Sequence, residues 1–246
     1  MKNNSSSLIL SVLVICVVSF VMSKTSTQNR VLKSFETFFD LKEGSLVRSW
    51  NSIESNETNG SQNSVSFENC TDEEKRYYSE ICLGTEDGKT FSKAFKWKQN
   101  IKIYVSGQKP DYMMDELNNI VSDLNDLIDP IELEVVSDKS EANTFIYMGG
   151  PVDCSNTFTE LSLSELQNVR GYFEIRTTHS TMFVDLERTE DNIEFQKHIL
   201  REELTQSLGL CNDSWKYEES IFYQGYSTVT EYSELDKKVI QMLYNN

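Results

Sequence analysis

The sequence predicts an α+β domain in which a mixed sheet is packed by a long helix, a polar-marked helix and a C-terminal helix. Two observations carry that class. From about residue 72 the hydrophobic pattern runs helix, strand, helix, four strands, helix, loop, helix, with alternation in the strands and helical spacing in the helices. On a helix drawn through Phe195–Leu210, Leu200, Leu204 and Leu208 fall with Ile193 within about 80° of one another and form a stripe that must face a core.

Ahead of the domain, Leu8–Met22 is a 15-residue apolar run behind Lys2, ending in Val21-Met22-Ser23. It is short for a membrane span and reads as a secretory signal peptide over 1–23, with an uncleaved N-terminal anchor as the alternative. Cleavage after Ser23 leaves 223 residues with 22 basic and 39 acidic side chains, a net charge of −17. That balance disfavours nucleic acid and anionic membrane surfaces, which are bound through Lys and Arg. Residues 24–71 read as a peripheral extension: Val31–Leu41 has the pattern of a short amphipathic helix, and Asn51–Ser66 is a polar linker. Asn56, Asn59, Asn69 and Asn212 head glycosylation patterns that matter only in a eukaryotic secretory pathway.

Within the domain, placed at 72–246, Thr71 caps a helix running to about Leu83. Ile101–Val105 alternates as a strand. Asp111–Ile128 carries Met114, Leu117, Val121, Leu124 and Ile128 at helical spacing, and Pro130 stops it. Ile131–Val136, Thr144–Met148, Tyr172–Arg176 and Thr181–Leu186 read as strands. Gly209, followed by Asn212-Asp213-Ser214, ends the next helix, and Glu234–Tyr244 is the last, with Ser233 and Asp236 as a capping box.

The helix before Gly209 sets the functional question. His198, Glu202, Gln206 and Gly209 share one side, with Glu203 beside them, while Phe195, Ile199 and Leu210 are interleaved. Only Arg201 and Thr205 read as exposed. A mostly buried helix holding two adjacent carboxylates needs a reason, because an unpaired buried charge is strongly unfavourable. Tyr223, Tyr226 and Tyr232 are candidates to line a groove nearby, and aromatic packing is the equal alternative.

This spacing resembles that of the metzincin zinc peptidases, whose His-Glu-x-x-His-x-x-Gly-x-x-His pattern sets two ligands one turn apart with a general-base Glu between them. The same positions here hold Glu202, Glu203, Gln206, Gly209 and Asn212, so the Glu and Gly are kept and every His is replaced. Ser220-Ile-Phe-Tyr223 stands where that group has a Met-containing turn, with Phe222 at the Met, and Leu243-Tyr244 ends the last helix. The resemblance implies a zincin-like core with Glu203 as general base and Phe222 and Tyr223 as cleft wall. A tetrahedral zinc site is not expected. Glu202, Gln206 and Asn212 or Asp213, with His198 one turn before, make an oxygen-rich set suited to Ca²⁺, Mg²⁺ or Mn²⁺. Polar groups bonded to one another with no metal are the alternative.

A nearer resemblance is to the bacterial domain of unknown function 2927, found in exported proteins and lipoproteins. It rests on Glu80-Ile-Cys-Leu-Gly-Thr-Glu86, Trp97, Ala142-Asn-Thr-Phe-Ile146, Glu202–Leu210, Asn212-Asp-Ser214 and Ser220-Ile-Phe222, and spans about 72–246. It implies that Glu-Glu-x-x-Gln is that family's own pattern, and it brings no activity. Two functions therefore stand side by side. One is a hydrolase of peptide bonds in which Glu203 activates a water held by its polar neighbours. The other is a non-catalytic module that binds a protein, peptide or glycan in the same cleft. Being adjacent on one helix and about 100° apart, Glu202 and Glu203 cannot flank one glycosidic bond.

Cys70, Cys82, Cys154 and Cys211 follow the leader. An even number in an exported chain reads as two disulfides, with free buried thiols as the alternative. Three pairings are open; Cys70–Cys82 with Cys154–Cys211 is favoured, and the second would clasp the Asn212-Asp213 loop.

Overall fold

A computed structural model describes residues 67–83, 94–155, 163–176 and 178–245. The leader, the Val31–Leu41 helix and the Asn51–Ser66 linker lie outside them. Helix α1, Asp72–Tyr78, starts at Thr71 with a reciprocal box: Glu74 N–H donates to the Thr71 hydroxyl, and the Thr71 N–H donates to the Glu74 carboxylate. A π turn over Ser79–Leu83 continues it. Strand β1 is Ile101–Gly107, and the long helix α2 is Asp111–Leu127. Strands β2, Leu133–Val135, and β3, Thr144–Gly149, follow. Two one-turn helices come next, α3 (Pro151–Cys154) and α4 (Leu163–Leu166), then β4, Gly171–Ile175, and β5, Ser180–Asp185. Helix α5, Ile193–Gln206, and helix α6, Glu234–Tyr244, complete the described strands and α-helices. At four residues each, α3 and α4 are too short to show a period, and the sequence reading has no helix there.

The strands form one sheet in the order β2-β1-β3-β5-β4, parallel except for β4, which runs antiparallel to β5. This is the expected mixed sheet. Residue parity divides its two faces. Ile101, Ile103, Val105, Ile146, Met148, Phe173, Met182 and Val184 join α2, α5 and α6 in the main core. Tyr172 and Phe183, which pair across β4 and β5, belong to a second cluster with Cys154 and Leu166. Strand β2 is half the expected length. Asn125 of α2 brackets it, accepting from Leu133 N–H at 2.8 Å and donating to Leu133 C=O at 2.9 Å, as a neighbouring strand would.

Four expectations are corrected. In α2 the buried stripe is Met113, Glu116, Leu117, Ile120 and Leu124, so Met114 and Val121 are only partly buried. Helix α5 ends at Gln206, because Leu208 and Gly209 N–H turn back to Thr205 and Gln206 carbonyls and Gly209 takes φ +116°. Arg201 and Thr205 are buried, not exposed. Arg201 donates to Glu116 Oε1 at 3.0 Å and to Asp123 Oδ2 at 2.7 Å, and lies over the Tyr232 ring. The Thr205 hydroxyl donates to Arg201 C=O at 2.6 Å. Thus α5 is covered from Phe195 to Gln206, whereas Ile193, expected in the core stripe, stands exposed in the first turn.

Neither favoured disulfide is formed. Cys154 lies in the second cluster while Cys211 packs on the main core, so the sheet stands between them. Most of the helical run 72–83 separates Cys70 from Cys82, roughly 15 Å at ~1.5 Å per residue, whereas a bridge needs Cα atoms within about 7 Å.

Candidate functional site

Helix α5 carries its polar residues to three different surroundings. Glu203 turns toward β4. Its carboxyl group, with Ile199 Cγ2, fills the space that a Cβ on Gly171 would need, so glycine at the start of β4 lets this strand close against the helix. Glu202 turns the other way, with Oε2 3.6 Å from His198 Nε2. His198 is buried and its Nδ1–H donates to the Val229 carbonyl at 2.7 Å, which fixes the tautomer. Burial holds the imidazole below its usual pKa.

Gln206, at the end of the helix, donates its amide N–H to Asp213 Oδ1 at 2.5 Å. Asn212 faces away from both. Its backbone N–H reaches Ile81 C=O at 3.1 Å and its side-chain amide reaches Glu80 C=O at 2.9 Å. The Asn212 Oδ1 is buried with no hydrogen-bond partner among the described residues. Glu80 also accepts from Ser214 Oγ at 2.8 Å and pairs with Lys216. The structure therefore brings Gln206 to Asp213 and His198 to Glu202, and sends Asn212 to the 80–81 turn. Among the described residues no three His, Cys, Asp or Glu side chains gather as a metal-holding group. Of the expected oxygen set, Gln206 lies against Asp213 while Asn212 is turned toward the 80–81 turn.

Beyond the loop, the turn Ser220–Tyr223 is held by α6. Ser220 Oγ donates to Asp236 Oδ1 at 2.6 Å, and Ile221 N–H to Asp236 Oδ2 at 3.1 Å. With its proton given to Asp236, Ser220 accepts from Tyr77 OH at 2.7 Å. Phe222 is fully buried, a floor of the core and not a wall. Tyr232 is buried under Arg201. Tyr223 and Tyr226 do line an open groove of about 410 Å³, together with Glu218, Ser227, Thr228 and Val229. Trp215 stands edge-on to Tyr223, and Tyr226 packs on Phe195 of α5 while accepting from Asn192 Nδ2 at 2.7 Å. Trp215, Glu218 and Glu80 were not singled out as site residues from sequence. Only the fold puts them beside the others.

The profile of a family described as "Protein of unknown function (DUF2927)" matches residues 71–246. The chain belongs to that family. Two solved structures of myroilysin are similar at 13% identity, with TM-scores of 0.39 and 0.38; each match covers 61% of this chain and 85% or 82% of the other. Overlaps this loose say nothing about the chemistry here. None of the curated proteins compared with the chain is similar to it.

In this DUF2927 chain three of the resembling stretches, at Glu80, Trp97 and Asn212–Ser214, meet around the C-terminal end of α5. The Trp97 indole donates to Ser207 C=O at 2.9 Å and Tyr244 OH donates to Leu208 C=O at 2.7 Å. The Glu80 turn holds Asn212 and Ser214. These groups satisfy helix-end carbonyls and order the following loop.

Proposed function

We propose that this chain is an exported, non-catalytic module that holds an extended peptide in the groove beside α5. The observation that carries the reading is the aromatic surface around Tyr223, where Trp215 is 66% and Tyr226 70% exposed. Large rings left in water at a concave site favour a ligand that covers them. Glu218 in the groove, Glu202 and Glu203 on α5, and a net charge of −16 favour a basic peptide over an acidic one. Binding is favoured over bond cleavage because, among the described residues, no three His, Cys, Asp or Glu side chains gather as a metal-holding group. Export rests on the apolar leader over 1–23.

Titration of the full chain with fluorescent peptides of basic, neutral and acidic composition tests this. Basic peptides should bind most tightly, and Trp215→Ala or Tyr226→Ala should weaken them about tenfold or more with Tm nearly unchanged. Binding indifferent to both substitutions, or oligosaccharides bound in place of peptides, overturns the proposal. Cleavage of a peptide by the wild type but not by Glu203→Gln, with a melting point lowered by EDTA, replaces it with hydrolysis.

A further inference from the structure

Cys82 and Cys211, free thiols in the structure and one of the pairings left open by the sequence, lie on the two sides of one seam. The π turn 79–83 and the loop after α5 are laced together by Asn212 N–H to Ile81 C=O at 3.1 Å and by the Asn212 amide to Glu80 C=O at 2.9 Å. Ser214 Oγ to Glu80 Oε1 at 2.8 Å closes the seam. Cys82 and Cys211 are the next residues on either side of the Ile81–Asn212 bond. Both contact the main core, and a charge on one thiol opposes a charge on the other. Tyr244 stands beside both.

We propose that Cys82 and Cys211 form a disulfide that locks the π turn to the loop after α5. The Cys82 thiolate attacks a small-molecule or protein disulfide, giving a mixed disulfide and releasing one thiolate of the oxidant. The Cys211 thiolate then attacks Cys82 Sγ, forms the Sγ–Sγ bond and expels the second thiolate. Two protons leave the cysteines and two electrons reduce the oxidant to its dithiol. Burial pushes the Cys211 thiol up to about 12 and the Cys82 thiol well above its usual value. Thiols so rarely ionised exchange slowly at neutral pH, so the bond forms while the two segments are still closing. Once made, it fixes the loop that carries Asn212 and Asp213.

Refolding the full chain in a glutathione redox buffer, alkylating it and mapping the peptides without reductant tests the pairing wherever the cell places the protein. The Cys82 and Cys211 peptides should be recovered joined and should part on reduction, with Cys154 alkylated alone. Recovery of Cys82 and Cys211 as separate alkylated peptides, or of Cys211 joined to Cys70 or Cys154, overturns the proposal. In melts, Cys82→Ser, Cys211→Ser and the double variant should each lose the same roughly 5–15 °C, and reductant should bring the wild type to their level. Additive losses with no effect of reductant mean two buried thiols and no bond. Should a variant fail to fold, the wild-type melt with and without reductant decides alone.

Discussion

Arg201 occupies the face of α5 that angular position assigns to water, and it is buried because α2 receives it. Its guanidinium spans Glu116, itself buried, and Asp123, which is half in solvent. The two arms differ in worth: the Asp123 contact is screened by water, while the Glu116 contact is made where charge is costly to leave alone. Burial holds the Glu116 carboxyl above the usual carboxylate range even against the pull of Arg201. Removing the arginine leaves that carboxyl with only the more distant charge of Lys197 and takes the cation from the face of Tyr232. Arg201→Ala is therefore expected to cost about 3–5 kcal/mol in urea unfolding. Arg201→Met combined with Glu116→Leu should recover most of it, because an apolar pair of similar volume carries no desolvation penalty. A loss below about 1 kcal/mol for Arg201→Ala would show the pair to be a surface contact in solution.

At the scale of elements, the end of α5 shows what periodicity can and cannot reveal. The strands and the α2, α5 and α6 helices were legible because each has a buried face repeated often enough to count. The orientation of α2 was not, since its true stripe contains Glu116, a residue that pattern reading assigns to water. Nor was the stop of α5 at Gln206, which depends on partners from both ends of the domain. Trp97 and Tyr244 each donate to a carbonyl of the last turn, and Trp97 N–H in turn reaches the Tyr244 oxygen at 3.3 Å. Tyr244→Phe keeps the ring and leaves the Leu208 carbonyl buried without a donor. The expected loss is about 1–3 kcal/mol, read as a lower Tm, and it should exceed that of Tyr226→Phe at the surface. Equal losses at the two positions would mean that water replaces the phenol at the helix end.

For the whole molecule, the sheet order places α5 between β4, α2 and the loop running to Val229, so each polar residue meets a different neighbour. Spacing alone placed Glu202, Glu203 and Gln206 correctly on the helix. It had no means to direct Asn212, whose partner Glu80 lies 132 residues earlier in the chain. The same arrangement sets the pH response. His198 is enclosed by the Val229 carbonyl, the Phe195 ring and Glu202, and burial depresses its folded pKa below the ordinary 6.5. A depressed pKa gives stability that is full above the unfolded value and is lost as pH falls toward the folded one. The many acids of this chain also shed charge on acidification and relieve self-repulsion, so the wild-type melt alone mixes two effects. The difference in Tm between wild type and His198→Gln isolates the imidazole. That difference should be constant above about pH 7 and should shrink as pH falls below 6.5. If it grows instead, the ring is protonated in the fold and paired with Glu202, and the carbonyl of Val229 holds a cation.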